Sequence, residues 1–367
     1  MNIKVSFFAL TLFLFTAVLN AQVDSTFHCY LLFGQSNMAG GGAGVPIGGA
    51  GAGTLNAEDC DTSERVKVLA FCDCRANEFA ACPKYNQSRT TDKWYTAYPP
   101  LHICNEGVSP GDYFAKTLLD SIREDIKIGL IPCALSGQAL TVFEKGKSNF
   151  NIPDWAHPTL ANRSPYDWML ARCKLAQQTG VIKGILLHQG ESGPGGDQWK
   201  NLAKEIFDDL KKDLGLSDTL PVVVGELREG NSMNATIDQF AESYPRCGLA
   251  SSKGAGNQSD DAWHFTPEGM RLMGKRYADA FLALSDSIYM PRIGSTAAVA
   301  SPKTPRAVSG DDVAKWKNEA RVFSLNGRLL LSKVVSGSTS SLSGIKTGNV
   351  YLVTRNNKTG VKLMVAP

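Results

Sequence analysis

From Phe27 to about Tyr289, short apolar runs rich in β-branched residues alternate with stretches whose apolar positions recur every three and four residues. The runs at residues 28–33, 66–71, 126–133, 182–188 and 220–226 read as strands. The stretches at residues 113–124, 167–178, 197–214 and 267–285 read as helices with one apolar face. Strands that are apolar throughout and separated by helices predict a mostly parallel sheet covered on both sides, a three-layer α/β/α domain over residues 22–290.

The two ends carry different patterns. Residues 1–21 hold Lys4, an almost purely apolar run and small Ala21, the pattern of an export signal cleaved near Gln22. The rival reading, a membrane anchor, is disfavoured because the run is shorter than the roughly 20 residues that span a bilayer. Residues 291–317 are rich in Ser, Ala, Pro and Gly and read as a linker. Beyond it, residues 318–367 read as two hairpins, one turning at Asn326-Gly327 and one split by residues 356–360, hence a small all-β module. A module of this size is near the lower limit for independent stability. It loosely resembles the C-terminal sorting or attachment modules of exported polysaccharide-degrading proteins; a sandwich fragment packed on the first domain and a carbohydrate-binding module are the other readings.

The 38 Lys and Arg against 35 Asp and Glu in 367 residues give no field that would favour nucleic acid or an anionic membrane as partner. With 43% hydrophobic residues the chain can bury a sizeable core, which excludes disorder as its main description. All nine cysteines follow the export signal, where bridges persist. Five of them fall between Cys60 and Cys104 and predict an insertion stapled by one or two disulfides of undetermined connectivity. Zinc is the rival reading, but Cys72-Asp73-Cys74 is too tight for a usual ligand pair. Cys133 and Cys173 lie in apolar patterns and read as buried, inert thiols.

Four segments carry candidate chemistry. The run Leu31-Leu32-Phe33 breaks into Gly34-Gln35-Ser36-Asn37-Met38-Ala39-Gly40, a glycine-flanked turn presenting one serine where an open α/β sheet places its ligands. Asp261 and His264 stand three apart just before a helix that Thr266-Pro267 would start, so the carboxylate can hold one ring nitrogen while the other faces a serine. His188-Gln189-Gly190-Glu191 follows a third apolar run, and polar groups there should project into a site. A zinc site of His188, Glu191 and His264 is weakened by the absence of an H-E-x-x-H helix. The turn Ala134-Leu135-Ser136-Gly137-Gln138 can aim a backbone N–H at a developing oxyanion.

Together, "FGQSNMAG", "IGLIPCALSGQAL", "LLHQGESG" and "DAWHFTPEG" resemble the blocks of the SGNH hydrolases, and more closely the sixth carbohydrate esterase family of acetylxylan esterases and their sialate O-acetylesterase relatives. The resemblance implies a flavodoxin-like three-layer fold with Ser36 as nucleophile, His264 as general base and Asp261 as its acid partner. It also implies an oxyanion hole of Ser36, Gly137 and Gln189, with Gln35 and Asn37 in support. Glu191 has two readings, orienting His264 or tying down the Ser36 turn. The chain departs from the family's usual Gly-Gly-Thr with Ser136-Gly137-Gln138, and has Phe143 where a Trp often follows.

The function so implied is removal of O-acetyl groups from a polysaccharide, acetylxylan first, by an acyl-enzyme route that uses no cofactor and no metal. A sialate O-acetylesterase and a noncatalytic glycan-binding surface protein are the alternatives. Trp94, Tyr95, Tyr98, Trp155, Trp168 and Trp263 are the candidate platforms for a sugar ring. The expected location is extracellular or at the cell surface, with no membrane span after cleavage and the tail as a contact for export or surface machinery.

Overall fold

A computed structural model describes residues 23–41, 55–76, 82, 87–104, 106–148, 164–257, 261 and 263–285, and four tail strands over 319–324, 329–334, 350–355 and 358–365. The export signal, residues 42–54, Trp155, the linker and the Asn326-Gly327 turn lie outside these residues.

Seven strands form one sheet: β1 (Phe27–Gly34), β2 (Val66–Leu69), β3 (Trp94–Thr96), β4 (Lys127–Ala134), β5 (Val181–His188), β6 (Val222–Gly225) and β7 (Cys247–Ala250), in the order β3-β2-β4-β1-β5-β6-β7. Every pairing is parallel except that of β3 with β2. Among the described residues six α-helices accompany it: α1 (Ser36–Ala39), α2 (Pro110–Leu119), α3 (Pro165–Gln177), α4 (Gly196–Asp213), α5 (Asn234–Ser243) and α6 (Pro267–Leu284). The alternation of the central strand is what makes three layers. Cys29, Leu31 and Phe33 join the core shared with Met169, Trp199 and Phe207 of α3 and α4. Tyr30 and Leu32 point the other way, into the core shared with Phe114 of α2 and Tyr277 and Phe281 of α6. Each large apolar side chain buried this way stabilises the fold by roughly 1.5–3 kcal/mol.

Several boundaries differ from expectation, each for a local reason. Helix α2 starts at Pro110, three residues early, because Pro suits the first helical position and the Asp112 carboxylate accepts the N–H (2.8 Å) and hydroxyl (3.1 Å) of Ser109. Strands β3 and β7 and helix α5 lie outside the predicted elements: three- and four-residue strands hold too few positions for a period to show, and α5 buries only Ile237 and Phe240, too few to mark an apolar face.

The tail strands β8 (Glu319–Ser324), β9 (Leu329–Val334), β10 (Val350–Arg355) and β11 (Lys358–Val365) form a separate antiparallel sheet in the order β11-β10-β8-β9. β11 begins at Lys358, inside the expected connection of residues 356–360, because Arg355 already pairs with Lys358 across the turn.

Two disulfides, Cys60–Cys82 and Cys74–Cys104, staple the insertion. Cys133 and Cys173 are buried free thiols, Cys133 pushed up to about 12 by burial. Among the described residues, the side chains grouped tightly enough to hold a metal are Cys72, Cys74 and Cys104, and two of these are bonded to each other. The insertion is also tied to the domain by Asp59, fully buried between Arg271 of α6 (2.7 Å) and the Tyr113 hydroxyl of α2 (2.8 Å).

Candidate active site

Three of the four segments open at the carboxyl ends of adjacent parallel strands, where β4 and β5 flank β1 and the chain order reverses. Ser36 is the first residue of α1, immediately after β1. The turn into it depends on Gly34, whose φ of +131° few other residues adopt, and where a Cβ would stand 2.0 Å from the His188 carbonyl oxygen. Gly137 follows β4 and Glu191 follows β5. His264 comes from the loop that Thr266 and Pro267 convert into α6, with the Thr266 hydroxyl accepting the Gly269 N–H at 3.1 Å.

These loops meet in a relay. Ser36 Oγ lies 2.7 Å from His264 Nε2, and His264 Nδ1 lies 2.5 Å from Asp261 Oδ2. The carboxylate only accepts, so the ring proton sits on Nδ1 and Nε2 is free to accept from the serine hydroxyl. Asp261 Oδ1 takes the N–H of Trp263 (2.7 Å) and of His264 (3.2 Å), fixing the loop as well as the ring. Burial works to raise the Asp261 carboxyl, but these hydrogen bonds outweigh it and hold the group below the usual carboxylate range.

Asn37 locks the relay's two halves together. Its Oδ1 accepts the Phe265 N–H at 3.2 Å, and its Nδ2 donates to the Trp263 carbonyl at 3.1 Å and to Glu191 Oε1 at 2.6 Å. Glu191 is thus hydrogen-bonded to the Ser36 turn, while the His264 ring nitrogen is held by Asp261. Its carboxyl is raised, first by burial and against the Asn37 bond, and its Oε2 has no partner among the described residues. Behind it, the Tyr277 hydroxyl donates to the Leu187 carbonyl (2.7 Å) and so accepts from His188 Nδ1 (3.1 Å). His188 Nε2 then faces Glu191 Oε1 at 3.6 Å, and burial lowers this histidine to about 3. A zinc site of His188, Glu191 and His264 does not fit, because both His264 nitrogens are engaged by Ser36 and Asp261.

Of the three residues expected to form the oxyanion hole, Ser36 and Gly137 line the cleft and Gln189 does not. Gly137 lines the cleft, has φ +75° and would present open space to a Cβ, and no described residue takes its N–H or that of Ser36. Gln189, by contrast, is turned away. Its Oε1 accepts the Trp199 indole N–H (2.8 Å), and its Nε2 donates to Gln35 Oε1 (3.1 Å) and the Ser192 carbonyl (2.8 Å). Trp199 can only donate and the Ser192 carbonyl can only accept, which fixes the amide's orientation and uses both of its N–H groups. Gln35 reaches the cleft and Gln189 braces it from behind.

The cleft above Ser36 and His264 has a volume of about 510 Å³. Trp263 stands at its rim with 52% of its surface exposed. Of the other candidate platforms among the described residues none lines the cleft: Trp168 packs edge-on to Phe71, Tyr98 is buried under Arg89, Trp94 lies against Phe27, and the Tyr95 hydroxyl accepts the Thr90 N–H. A buried lining residue that the sequence did not single out is Glu106, whose Oε1 accepts from Ser136 Oγ at 2.8 Å. A lone acidic residue in a loop ordinarily reads as solvated, so no sequence signal marked it.

Residues 26–283 match the family described as carbohydrate esterase, sialic acid-specific acetylesterase. A "probable carbohydrate esterase" of Arabidopsis thaliana is 27% identical over 207 residues, 52% of this chain and 72% of the plant protein. The crystal structure of that plant protein superposes with a TM-score of 0.52 at 24% identity, over 70% of this chain and 98% of its own. The structure of NanS gives 0.50 at 15% identity, over 71% and 98%, and carries the same fold. The chain therefore belongs to the carbohydrate esterase, sialic acid-specific acetylesterase family, and is a carbohydrate acetylesterase.

Proposed function

We propose that the protein is an exported serine esterase that removes acetyl groups from a neutral glycan, acetylxylan first, with Ser36, His264 and Asp261 as its catalytic residues. The observation that carries this reading is the Ser36–His264–Asp261 relay at 2.7 and 2.5 Å, opening on a cleft. His264 Nε2 takes the Ser36 proton as Oγ attacks the acetyl carbonyl, and Asp261 stabilises the imidazolium that forms. The N–H groups of Ser36 and Gly137 receive the developing oxyanion. His264 returns the proton to the departing sugar oxygen, then activates a water that releases acetate from Ser36. Gln35, Asn37 and Glu191 hold the serine turn in place. Every proton in this sequence is carried by His264, so the relay needs no cofactor.

The substrate class rests on the lining. Among the described residues, no Lys or Arg lines the cleft, while the carboxyls of Glu106 and Glu191 do, a poor setting for a sialate carboxylate. Three arginines of the chain could meet such a group: Arg172 is buried and donates to the Leu69 and Ala70 carbonyls and to Asp92, Arg228 does not line the cleft, and Arg163 lies outside the described residues. Exposed Trp263 offers a face to a sugar ring. The two disulfides fit an oxidising compartment, and the tail sheet is the expected contact for export or surface machinery. The family's description favours a second reading, a sialate O-acetylesterase.

Acetate release by wild type and Ser36→Ala on acetylated xylan and on an O-acetylated sialic acid separates these. Release from xylan that Ser36→Ala abolishes is expected. Release confined to the sialate promotes the second reading, and release undiminished by Ser36→Ala overturns the mechanism.

A further inference from the structure

Among the described residues no cation pairs with Glu106, a carboxyl beside Ser36. It is 8% exposed and lines the cleft. Its Oε1 accepts from Ser136 Oγ (2.8 Å) and its Oε2 from the Ile103 N–H (3.2 Å). A carboxylate offers about four lone-pair sites, so these two bonds leave acceptor capacity on the group. Burial raises it to about 7, against the bonds from Ser136 and Ile103. A carboxyl placed so is unfavourable unless something polar completes it.

The space beside it is shaped by Gly41. A Cβ there would stand 3.2 Å from Glu106 Oε1, 3.3 Å from Ser136 Oγ and 3.7 Å from Ser36 Cβ. The missing side chain therefore leaves a gap that connects the nucleophile with the Glu106–Ser136 pair. An ester carbonyl seated on Ser36 and Gly137 brings the rest of its sugar close to this gap, since Ser136 directly precedes Gly137 and Gly137 lines the same cleft.

We propose that Glu106, braced by Ser136, is a specificity-determining residue that accepts a hydrogen bond, through the gap left by Gly41, from a free hydroxyl of the sugar bearing the acetyl group. The inference rests on the serine esterase reading above and adds to it what the cleft selects. A fully acetylated sugar has no hydroxyl to offer and is handled without this contact. A partly acetylated one completes the buried carboxyl and is bound better for it.

The test compares kcat/KM for xylobiose carrying one acetyl group with that for fully acetylated xylobiose, in wild type, Glu106→Gln and Gly41→Ala. At about pH 8, above the value to which burial raises Glu106, Glu106→Gln keeps the shape and removes the charge that strengthens the bond; Gly41→Ala leaves Glu106 in place and fills the gap. Both are expected to lower the ratio of mono- to fully acetylated turnover about tenfold, mainly through KM. Equal losses on both substrates would show that Glu106 only braces its loop, and an unmoved ratio would equally overturn the proposal. The same pair is made from O-acetylated sialic acid, and the ratio is read on whichever sugar the wild type hydrolyses. Wild-type preference between the sugars judges the neutral-glycan reading, and the variants' ratio judges Glu106, so each can fail alone.

Discussion

Glu191 Oε1 accepts from Asn37 Nδ2 at 2.6 Å, while His264 Nδ1 donates to Asp261. The two carboxyls thus hold different parts of the site: Asp261 the His264 ring, Glu191 the turn that carries Ser36. Asp261→Asn removes the acceptor that sets the His264 tautomer and is expected to lower kcat by about 10³- to 10⁴-fold. Glu191→Gln retains an oxygen for Asn37 and is expected to lower kcat less than about tenfold. Steady-state kinetics on a chromogenic acetate ester decide it. A Glu191→Gln loss as large as that of Asp261→Asn would make Glu191 the partner of His264.

Gln189 yields a different signature. With both amide hydrogens held by Gln35 and Ser192 and its oxygen by Trp199, Gln189→Ala leaves the fully buried Trp199 N–H without its acceptor. The expected outcome is a stability loss of about 1–3 kcal/mol by urea unfolding, together with only a modest fall in kcat. Were the amide an oxyanion donor, kcat would instead drop by about 10²- to 10³-fold with stability preserved.

The contrast between Ser36 and Gln189 shows what the sequence could and could not carry. Strands β1, β4 and β5 are buried on both faces, so their apolar runs are continuous and their ends visible; Ser36, Gly137 and Glu191 follow from those ends. His264 and Asp261 are three apart in one loop, so their contact is local. Gln189 sits at an equally visible strand end, but which way its amide turns is decided by Trp199, ten residues away on α4. Glu106 is met by Ser136, thirty residues on, and by a gap at Gly41. Contacts of that kind leave no period and no motif in the chain.

The stapled insertion contains a spare thiol. Cys72 Sγ lies 3.8 Å from Cys74 Sγ and 3.7 Å from Cys104 Sγ, the two sulfurs of one bridge. Losing a bridge that closes a loop of this size is expected to lower stability by about 3 kcal/mol. Cys74→Ser frees Cys104 beside Cys72, so non-reducing peptide mapping should find a Cys72–Cys104 bridge. Its melting temperature should then exceed that of Cys72→Ser/Cys74→Ser. Equal melting temperatures and a free Cys104 in the single variant would reject the exchange.

Stability should respond to pH through two opposed sets of buried groups. Burial lowers His102 and His188 to about 3 and His28 to about 4. Unfolded histidine titrates near 6.5, so the unfolded chain takes up these protons first. Stability from the histidines is complete above about pH 6.5 and is lost as pH falls through the folded values. Glu106 and Asp112 are both raised by burial to about 7. Their contribution is complete below about pH 4 and is lost as pH rises through 7. Between about pH 5 and 7 the two sets offset each other, and the melting temperature should change little. Below about pH 4.5 the carboxyls have nothing further to add, while the histidines continue to act. Asp59 then acts with them, since its bonds to Arg271 outweigh burial and hold its carboxyl low. The melting temperature should therefore fall steeply there, and less steeply in His188→Asn, which has no proton to refuse. Calorimetry from pH 3.5 to 8 reads both slopes. A His188→Asn curve parallel to wild type below about pH 4.5 would remove the histidine from the account.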